Sequence, residues 1–157
     1  MTQLASFDSA LAINPSSSQV DQFLALDPRL PLLIVNLHEY HERADYPATY
    51  TGAESTAVSG REAYHRYLRR VEQEYLPQVG AKFLVVAPTA LVMIGEGNWS
   101  EAVIGCYPNR TAAMHMPTLA GYADLQVHRI AGLKKALTVV MTESAFARLP
   151  ESLLPGR

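Results

Sequence analysis

Two polar residues, Asn36 and His38, follow an apolar run and could carry proton-transfer chemistry. Alternate residues of a strand point to the same side, so this pair shares a side with Leu32 and Ile34. Polar groups at the end of an apolar row indicate that the strand enters a cavity, where a histidine can act as a general acid or base. The alternative is structural: Asn36 fixes the following loop and His38 meets solvent, because most buried polar groups serve the fold.

Tyrosines and one arginine lie on the apolar faces of two predicted helices. Tyr64 and Tyr67 are expected on the buried face of the long helix, where their rings pack and their hydroxyls need partners. Arg129 shares a helical face with Tyr122, and its permanent charge requires an anion or carbonyl groups. That anion is either a carboxylate ligand or an internal Asp or Glu, and both alternatives remain open.

The candidate site residues therefore form two overlapping sets. The residues that could contact a small-molecule ligand are Asn36, His38, Tyr64, Tyr67, Tyr122 and Arg129. The residues that could carry catalysis are His38, His128 and Arg129, with a histidine moving a proton and the arginine holding an anionic oxygen. For the tyrosines, the alternative is packing in the core.

The spacing of the histidines and carboxylates does not favour a metal site. The side chains that could be imagined as ligands are His38, His41, Glu42, Asp45, His65 and His128. An HExxH pattern is absent, because Glu39 is followed by Tyr40 and then His41, and no cysteine contributes. The sequence also lacks a nucleophile elbow, a phosphate-cradling glycine loop and a visible pair of active-site carboxylates. We therefore expect no metal and no cofactor.

Charge and composition argue against several classes of partner. The chain has 13 Lys and Arg residues against 15 Asp and Glu, a net charge of −2, and no basic stripe that could follow a phosphate backbone. No apolar run approaches the roughly 20 residues of a membrane-spanning helix. The single cysteine, Cys106, excludes an internal disulfide and is typical of a reducing compartment. We expect no nucleic acid partner, no membrane insertion and a cytoplasmic location.

The 157 residues fit one α+β domain of the ferredoxin-like kind, residues 1–157. Apolar periodicity and turn residues predict these elements in order: a helix at 16–26, a strand at 32–37, a helix from Ser59 to Gly80, a strand at 81–94 with a bulge at Pro88-Thr89, a strand at 99–107, a helix from Arg110 interrupted by Pro117, a helix at 118–132 and a strand at 136–141. The remaining segments are an N-terminal extension at 1–30 that holds the first helix, a long loop at 39–58 and a C-terminal tail at 144–157, read as a short helical turn and a loose end.

This order of elements predicts a split βαβ pair, which forms a four-stranded antiparallel sheet with two helices on one face. The long helix is expected to begin with a capping box formed by Ser59 and Glu62 and to end at Gly80 in a left-handed cap. The strands are apolar on both sides, so the helices leave one apolar face of the sheet bare. A second copy of the chain is the predicted cover, which makes the protein a homodimer.

Short segments spread from about residue 15 to 141 carry a family resemblance. They are Val35-Asn36-Leu37, Ser59-Gly60-Arg61-Glu62-Ala63-Tyr64 with Tyr67, Val79-Gly80-Ala81, Ile94-Gly95 before Trp99, Tyr107-Pro108-Asn109-Arg110, and Tyr122 with His128-Arg129-Ile130-Ala131-Gly132-Leu133. Together they resemble the dimeric α+β barrel superfamily and, within it, a bacterial family of unknown function, family 1330 or a close relative. The resemblance implies a dimer whose two sheets face each other, with pockets between sheet and helices. It implies no particular chemistry.

Three interpretations of function remain open. In the first, the dimer encloses a small-molecule pocket edged by Asn36, Tyr64, Tyr67 and Arg129, with binding or an unassigned activity as its role. In the second, the protein is a cofactor-independent enzyme of the monooxygenase or isomerase type that acts on a small organic substrate. In the third, it is a purely structural dimer with a filled interior, which the absence of a ligand-sized pocket would favour.

Overall fold

A computed structural model describes residues 12–142. The helices and strands are α1 (Ser17–Leu24), β1 (Leu32–Tyr40), α2 (Gly60–Arg70), β2 (Lys82–Pro88), β3 (Glu101–Tyr107), α3 (Arg110–His115), α4 (Tyr122–Gly132) and β4 (Leu133–Met141). A π-helical turn (Val71–Tyr75) and a 3-10 turn (Pro77–Val79) extend α2, and a second 3-10 turn (Met116–Thr118) follows α3. The predicted tail at 144–157 lies outside the described residues.

The four strands form one antiparallel sheet in the order β2-β3-β1-β4. With helices between β1 and β2 and between β3 and β4, this is the ferredoxin-like split βαβ pair, so the predicted fold class is confirmed. The core lies between the sheet and the helices. It joins Leu32 and Val103 of the sheet to Leu68 of α2 and Leu125 of α4.

Helix α2 begins and ends largely as its sequence predicts. The Ser59 hydroxyl accepts the Glu62 amide at 3.1 Å. The Glu62 carboxylate lies 3.6 Å from the Arg66 guanidinium, so the helix start has the serine half of the predicted capping box. Gly80 closes the segment at φ +67°, the left-handed conformation that glycine adopts at little cost.

The two long helices approach each other most closely at a pair of glycines. A Cβ atom added to Gly132 would lie 2.5 Å from the carbonyl oxygen of Gly60 and 2.7 Å from the amide nitrogen of Tyr64. The start of α2 and the end of α4 therefore touch backbone to backbone. A side chain at either glycine would force the helices apart.

Several strand boundaries differ from the prediction. Strand β3 begins at Glu101 and not at residue 99, and β4 begins at Leu133 and not at residue 136. Strand β1 extends to Tyr40, because Glu39 and Tyr40 pair with Lys135 and Leu133 of β4, so the long loop begins after residue 40. Strand β2 ends at Pro88, which pairs with Glu101, the first residue of β3. Residues 91–94 therefore have no strand partner and form an exposed apolar loop, so the predicted strand to residue 94 is wrong. The register shift in β2 lies between Phe83 and Val85, and not at Pro88-Thr89.

The sheet face opposite the helices is apolar from strand to strand. Charged residues on this side, Lys82, Glu39 and Lys135, lie toward the strand ends. The apolar members alternate with the core-facing residues: Leu33, Val35, Leu37, Val85, Ala87, Ala102, Ile104, Cys106, Leu137, Val139 and Met141. We call this set the outer face. In the single chain Leu137 and Val139 are 46% and 47% exposed, so part of the outer face meets water.

Candidate functional site

A cavity of about 150 Å³ lies between the inner face of the sheet and the helices. Five of the six residues predicted to contact a ligand line it: Asn36, His38, Tyr64, Tyr67 and Arg129. Tyr122, the sixth, does not line the cavity but lies directly behind Tyr67. The structure thus brings together residues from β1, α2 and α4 that are far apart in the sequence.

His38 is the most unusual residue of the cavity. Its side chain is buried, and its Nε2 atom lies 3.3 Å from the Tyr64 hydroxyl. Its Nδ1 atom is fully buried and has no hydrogen-bond partner within residues 12–142. Burial lowers the pKa of His38 to about 4, although the Glu101 carboxylate acts in the opposite direction. At neutral pH the imidazole is therefore uncharged, and one of its nitrogens is left without a partner among the described residues.

Asn36 is held within the sheet. Its Nδ2 group donates to the carbonyl oxygen of Val103 at 3.3 Å, and its Oδ1 atom accepts the Thr138 hydroxyl at 2.8 Å. The amide therefore braces β1 against both neighbouring strands. This bracing role differs from the structural alternative predicted from the sequence, in which the Asn36 side chain fixes the following loop.

The tyrosines build an aromatic wall with protonated hydroxyls. The rings of Tyr64 and Tyr67 lie 5.5 Å apart, and the Tyr67 hydroxyl lies 2.7 Å from that of Tyr122. The hydroxyl of Tyr107 has Met116 Sδ as a weak acceptor at 3.9 Å. Burial raises the pKa values of Tyr64, Tyr67 and Tyr107 above that of free tyrosine. These hydroxyls therefore donate or accept hydrogen bonds as neutral groups.

Arg129 brings a positive charge to the cavity. Its guanidinium donates to the carbonyl oxygen of Ile13 and, at 3.2 Å, to the side-chain oxygen of Asn14. Both acceptors are neutral, and within residues 12–142 no carboxylate lies within 4 Å of the guanidinium. The positive charge also acts on two other lining residues. It lowers the pKa of His38 and partly offsets the rise in the pKa of Tyr64 that burial causes.

A buried carboxylate with three hydrogen-bond donors lies beside the cavity and was not predicted from the sequence. Glu101 is 0% exposed and accepts hydrogen bonds from Tyr40 at 2.6 Å, Arg61 at 2.8 Å and His65 at 2.7 Å. Burial alone would raise the pKa of Glu101, but these three partners hold it below its usual value. The only sequence signal was a carboxylate at an inward-facing position of an apolar strand, opposite His38.

His128 belongs to a separate cluster. Its Nδ1 atom lies 2.7 Å from the Tyr46 hydroxyl and its Nε2 atom lies 3.1 Å from Glu54, so both ring nitrogens are occupied. Burial lowers the pKa of His128, with Glu54 opposing the effect. Arg66 of α2 also donates to the Tyr46 hydroxyl. This cluster fastens the loop at 41–59 to the helices, and His128 does not line the cavity.

The described part of the chain contains no group of three His, Cys, Asp or Glu side chains that could hold a metal ion. Between residues 12 and 142 no helix has the length and apolarity needed to cross a bilayer.

No protein-family model matches the chain, and neither does any curated protein. The predicted assignment to family 1330 therefore stays a prediction. The chain is similar to the RPA0582 protein of Rhodopseudomonas palustris, a protein of unknown function, in two solved structures. The structure of the methylated protein is 25% identical with a TM-score of 0.74 and covers 87% of this chain and 97% of that chain. The second is 25% identical with a TM-score of 0.72 and covers 84% and 96%.

A third similar structure is a dimeric protein of unknown function with a ferredoxin-like fold from Bacteroides fragilis. It is 10% identical with a TM-score of 0.42 and covers 72% of this chain and 96% of that chain. That likeness is too distant to support an argument. The two RPA0582 structures show that the fold described above has solved relatives across most of its length.

Proposed function

We propose that this protein is a homodimeric α+β barrel that binds a small organic molecule between its sheet and helices. The observation that carries the proposal is the unpartnered Nδ1 atom of His38 beside a cavity of about 150 Å³. A buried polar atom without a partner is costly in a folded protein, and each such atom calls for an explanation, of which a bound molecule is one. A ligand that bonds this nitrogen would remove the cost.

The outer face supports the dimer. Four strands about 4.8 Å apart, each about seven residues long, present a flat area on the order of 400 Å². An apolar patch of that size is comparable with the largest patch on a typical monomer, and such patches often mark interaction sites. A second copy covers it with the same apolar surface, which is how a two-fold interface is made. The buried free thiol of Cys106 supports a reducing compartment such as the cytoplasm.

A single charge on the outer face tests the dimer. Val139→Lys places an ammonium at a residue that is 47% exposed in the single chain, so we expect it to fold and to be monomeric. Ile130→Lys on α4 is the matched control, since Ile130 is 51% exposed on the helix side. Sedimentation at micromolar concentration should find wild type and the control dimeric. Monomeric wild type would contradict the proposed assembly.

Small ring compounds test the cavity. We expect at least one of phenol, benzamide and benzoate to shift the NMR signals of His38 and Tyr64, because a cavity of this volume accepts one benzene-sized ring. Ala136→Leu should abolish the effect, since Ala136 lines the cavity and leucine would fill it. Ala123→Leu, at an exposed position of α4, is the matched control. If no ring compound binds, or if binding survives Ala136→Leu, the cavity is not a ligand site.

A second candidate function is proton transfer on the bound molecule, by an isomerase-like or cofactor-independent monooxygenase-like enzyme. The specific observation in its favour is a neutral buried imidazole, His38, hydrogen-bonded to Tyr64. His128 is an unsuitable base, because Glu54 and Tyr46 occupy its nitrogens. Solvent-deuterium incorporation into a bound ligand, followed by NMR, should require His38. Equal incorporation by His38→Asn would exclude the enzyme hypothesis.

A further inference from the structure

The volume and the aromatic lining of the cavity favour a flat ring. Its volume of about 150 Å³ matches that of a cavity that takes up one benzene molecule. Four aromatic side chains form part of the lining: Tyr64, Tyr67, Phe83 and Tyr107. Aromatic walls favour a planar apolar body, since rings pack at offset or edge-to-face contact distances.

The charge of the cavity selects a monoanion. Among residues 12–142 Arg129 donates to two neutral oxygens, which leaves further N–H groups of its five. The lining contains no Asp, Glu or Lys among the residues that the structure describes, and His38 is neutral. One guanidinium in a half-buried setting matches one carboxylate, whose two oxygens fit its planar fork. A second negative charge on the ligand would have no counterpart in the lining.

The unpartnered nitrogen of His38 selects a hydroxyl group. If the Tyr64 hydroxyl donates to Nε2, then Nδ1 carries the proton and needs an acceptor; in the other tautomer Nδ1 needs a donor. A hydroxyl both donates and accepts, so it satisfies either tautomer. A carbonyl group, which only accepts, would serve only one of them.

We propose that the cavity binds a hydroxylated aromatic carboxylate of one ring, with the ring against the tyrosines, the carboxylate on Arg129 and the hydroxyl on Nδ1 of His38. This inference rests on the proposed function, which requires only that some small molecule occupy the cavity. It adds the chemical class of that molecule and assigns each polar group a partner.

The test compares charged and neutral probes by isothermal titration calorimetry. The probes are 3- and 4-hydroxybenzoate, 4-hydroxybenzamide and benzoate. We expect the better hydroxybenzoate to bind wild type about 10- to 100-fold more tightly than the amide, as one charge-assisted contact allows. Benzoate should bind about tenfold more weakly than that hydroxybenzoate, because it leaves Nδ1 of His38 unpaired.

Variants assign the contacts. Arg129→Met should remove the preference for the carboxylate while keeping binding of the amide, and Arg129→Lys should keep part of the preference. Asn14→Ala is the matched control, because it removes one contact of the Arg129 guanidinium without removing the charge. His38→Phe should remove the advantage of the hydroxyl and leave the advantage of the carboxylate.

The outcomes separate the two proposals. If the amide binds wild type as tightly as the hydroxybenzoates, the ligand class is wrong and the binding cavity stands. If the preference for the carboxylate survives Arg129→Met, the assigned partner is wrong and the inference falls. If no probe binds at all, or if every probe binds Ala136→Leu as well as wild type, the proposed function fails together with the inference.

Discussion

The buried imidazole of His38 predicts a loss of stability in mild acid. The unfolded chain protonates this histidine near pH 6.5, whereas the folded protein protonates it only near pH 4. Between these values the unfolded state binds more protons, so the free energy of unfolding falls as the pH is lowered through this window. Above pH 6.5 His38 is neutral in both the folded and the unfolded state, so the free energy of unfolding is not reduced by its protonation.

The size of the effect follows from the two pKa values. Each tenfold change in proton affinity is worth about 1.4 kcal/mol, so a pKa that moves from 6.5 to about 4 corresponds to roughly 3 kcal/mol between pH 8 and pH 4. His38→Asn removes this titration. We expect the variant to lie within about 1 kcal/mol of wild type at pH 8 and to gain roughly 3 kcal/mol on it by pH 4.

Urea unfolding at half-unit steps from pH 8 to pH 4 measures the effect. All samples have one fixed protein concentration, because the stability of the proposed dimer would depend on concentration. His115→Asn, at the end of the short helix α3, controls for the loss of one imidazole. The quantity to compare is the difference between variant and wild type at each pH. If that difference stays constant across the window, His38 is not a buried neutral imidazole, and the argument from its free nitrogen fails with it.

Two further predictions concern stability. Glu101→Gln should lower the free energy of unfolding by about 3 kcal/mol at pH 7, because a buried carboxylate with three partners is replaced by a neutral group. Since the folded pKa of Glu101 is lowered, this loss should shrink as the pH falls below about 4.5. Urea titrations at each pH measure it. The exposed Glu62→Gln is its control and should change stability by less than about 0.5 kcal/mol. Gly132→Ala should cost about 2 kcal/mol or more by thermal or urea unfolding, because its Cβ would overlap the backbone of α2; Gly105→Ala, whose Cβ meets only contacts of 3.4 Å or more, should cost less than about 1 kcal/mol. Equal losses within either pair would contradict the packing described above.

The sequence predicts those parts of the fold that depend on local chemistry. The Ser59 cap, the buried face with Tyr64 and Tyr67, and the left-handed Gly80 all follow from residues close together in the chain. Strand lengths are harder to predict, because pairing is decided by distant residues. Tyr40 is in a strand because Leu133 lies beside it, and residues 91–94 are not, because β3 begins only at Glu101.

The same division applies to the candidate site. Asn36, His38 and Arg129 could be selected because each is a polar residue on an apolar face. The Glu101 cluster could not, since its partners come from β1 and from two turns of α2 and meet only in the folded chain. His128 also stands on a half-buried face, and only the structure shows that both its nitrogens are already occupied.

The contact between Gly60 and Gly132 has a consequence for redesign. The helix backbones touch there, whereas further along the same helices the rings of Tyr67 and Tyr122, 6.2 Å apart between centroids, hold them apart. The two helices therefore form a wedge. They are in backbone contact at the Gly60–Gly132 end, and at the other end their separation depends on the size of the side chains between them. Replacing an aromatic residue at the wide end by a smaller one would enlarge the cavity for larger ligands, while the glycine contact keeps the two helices aligned. Ligand selectivity can therefore be changed without changing the helix packing.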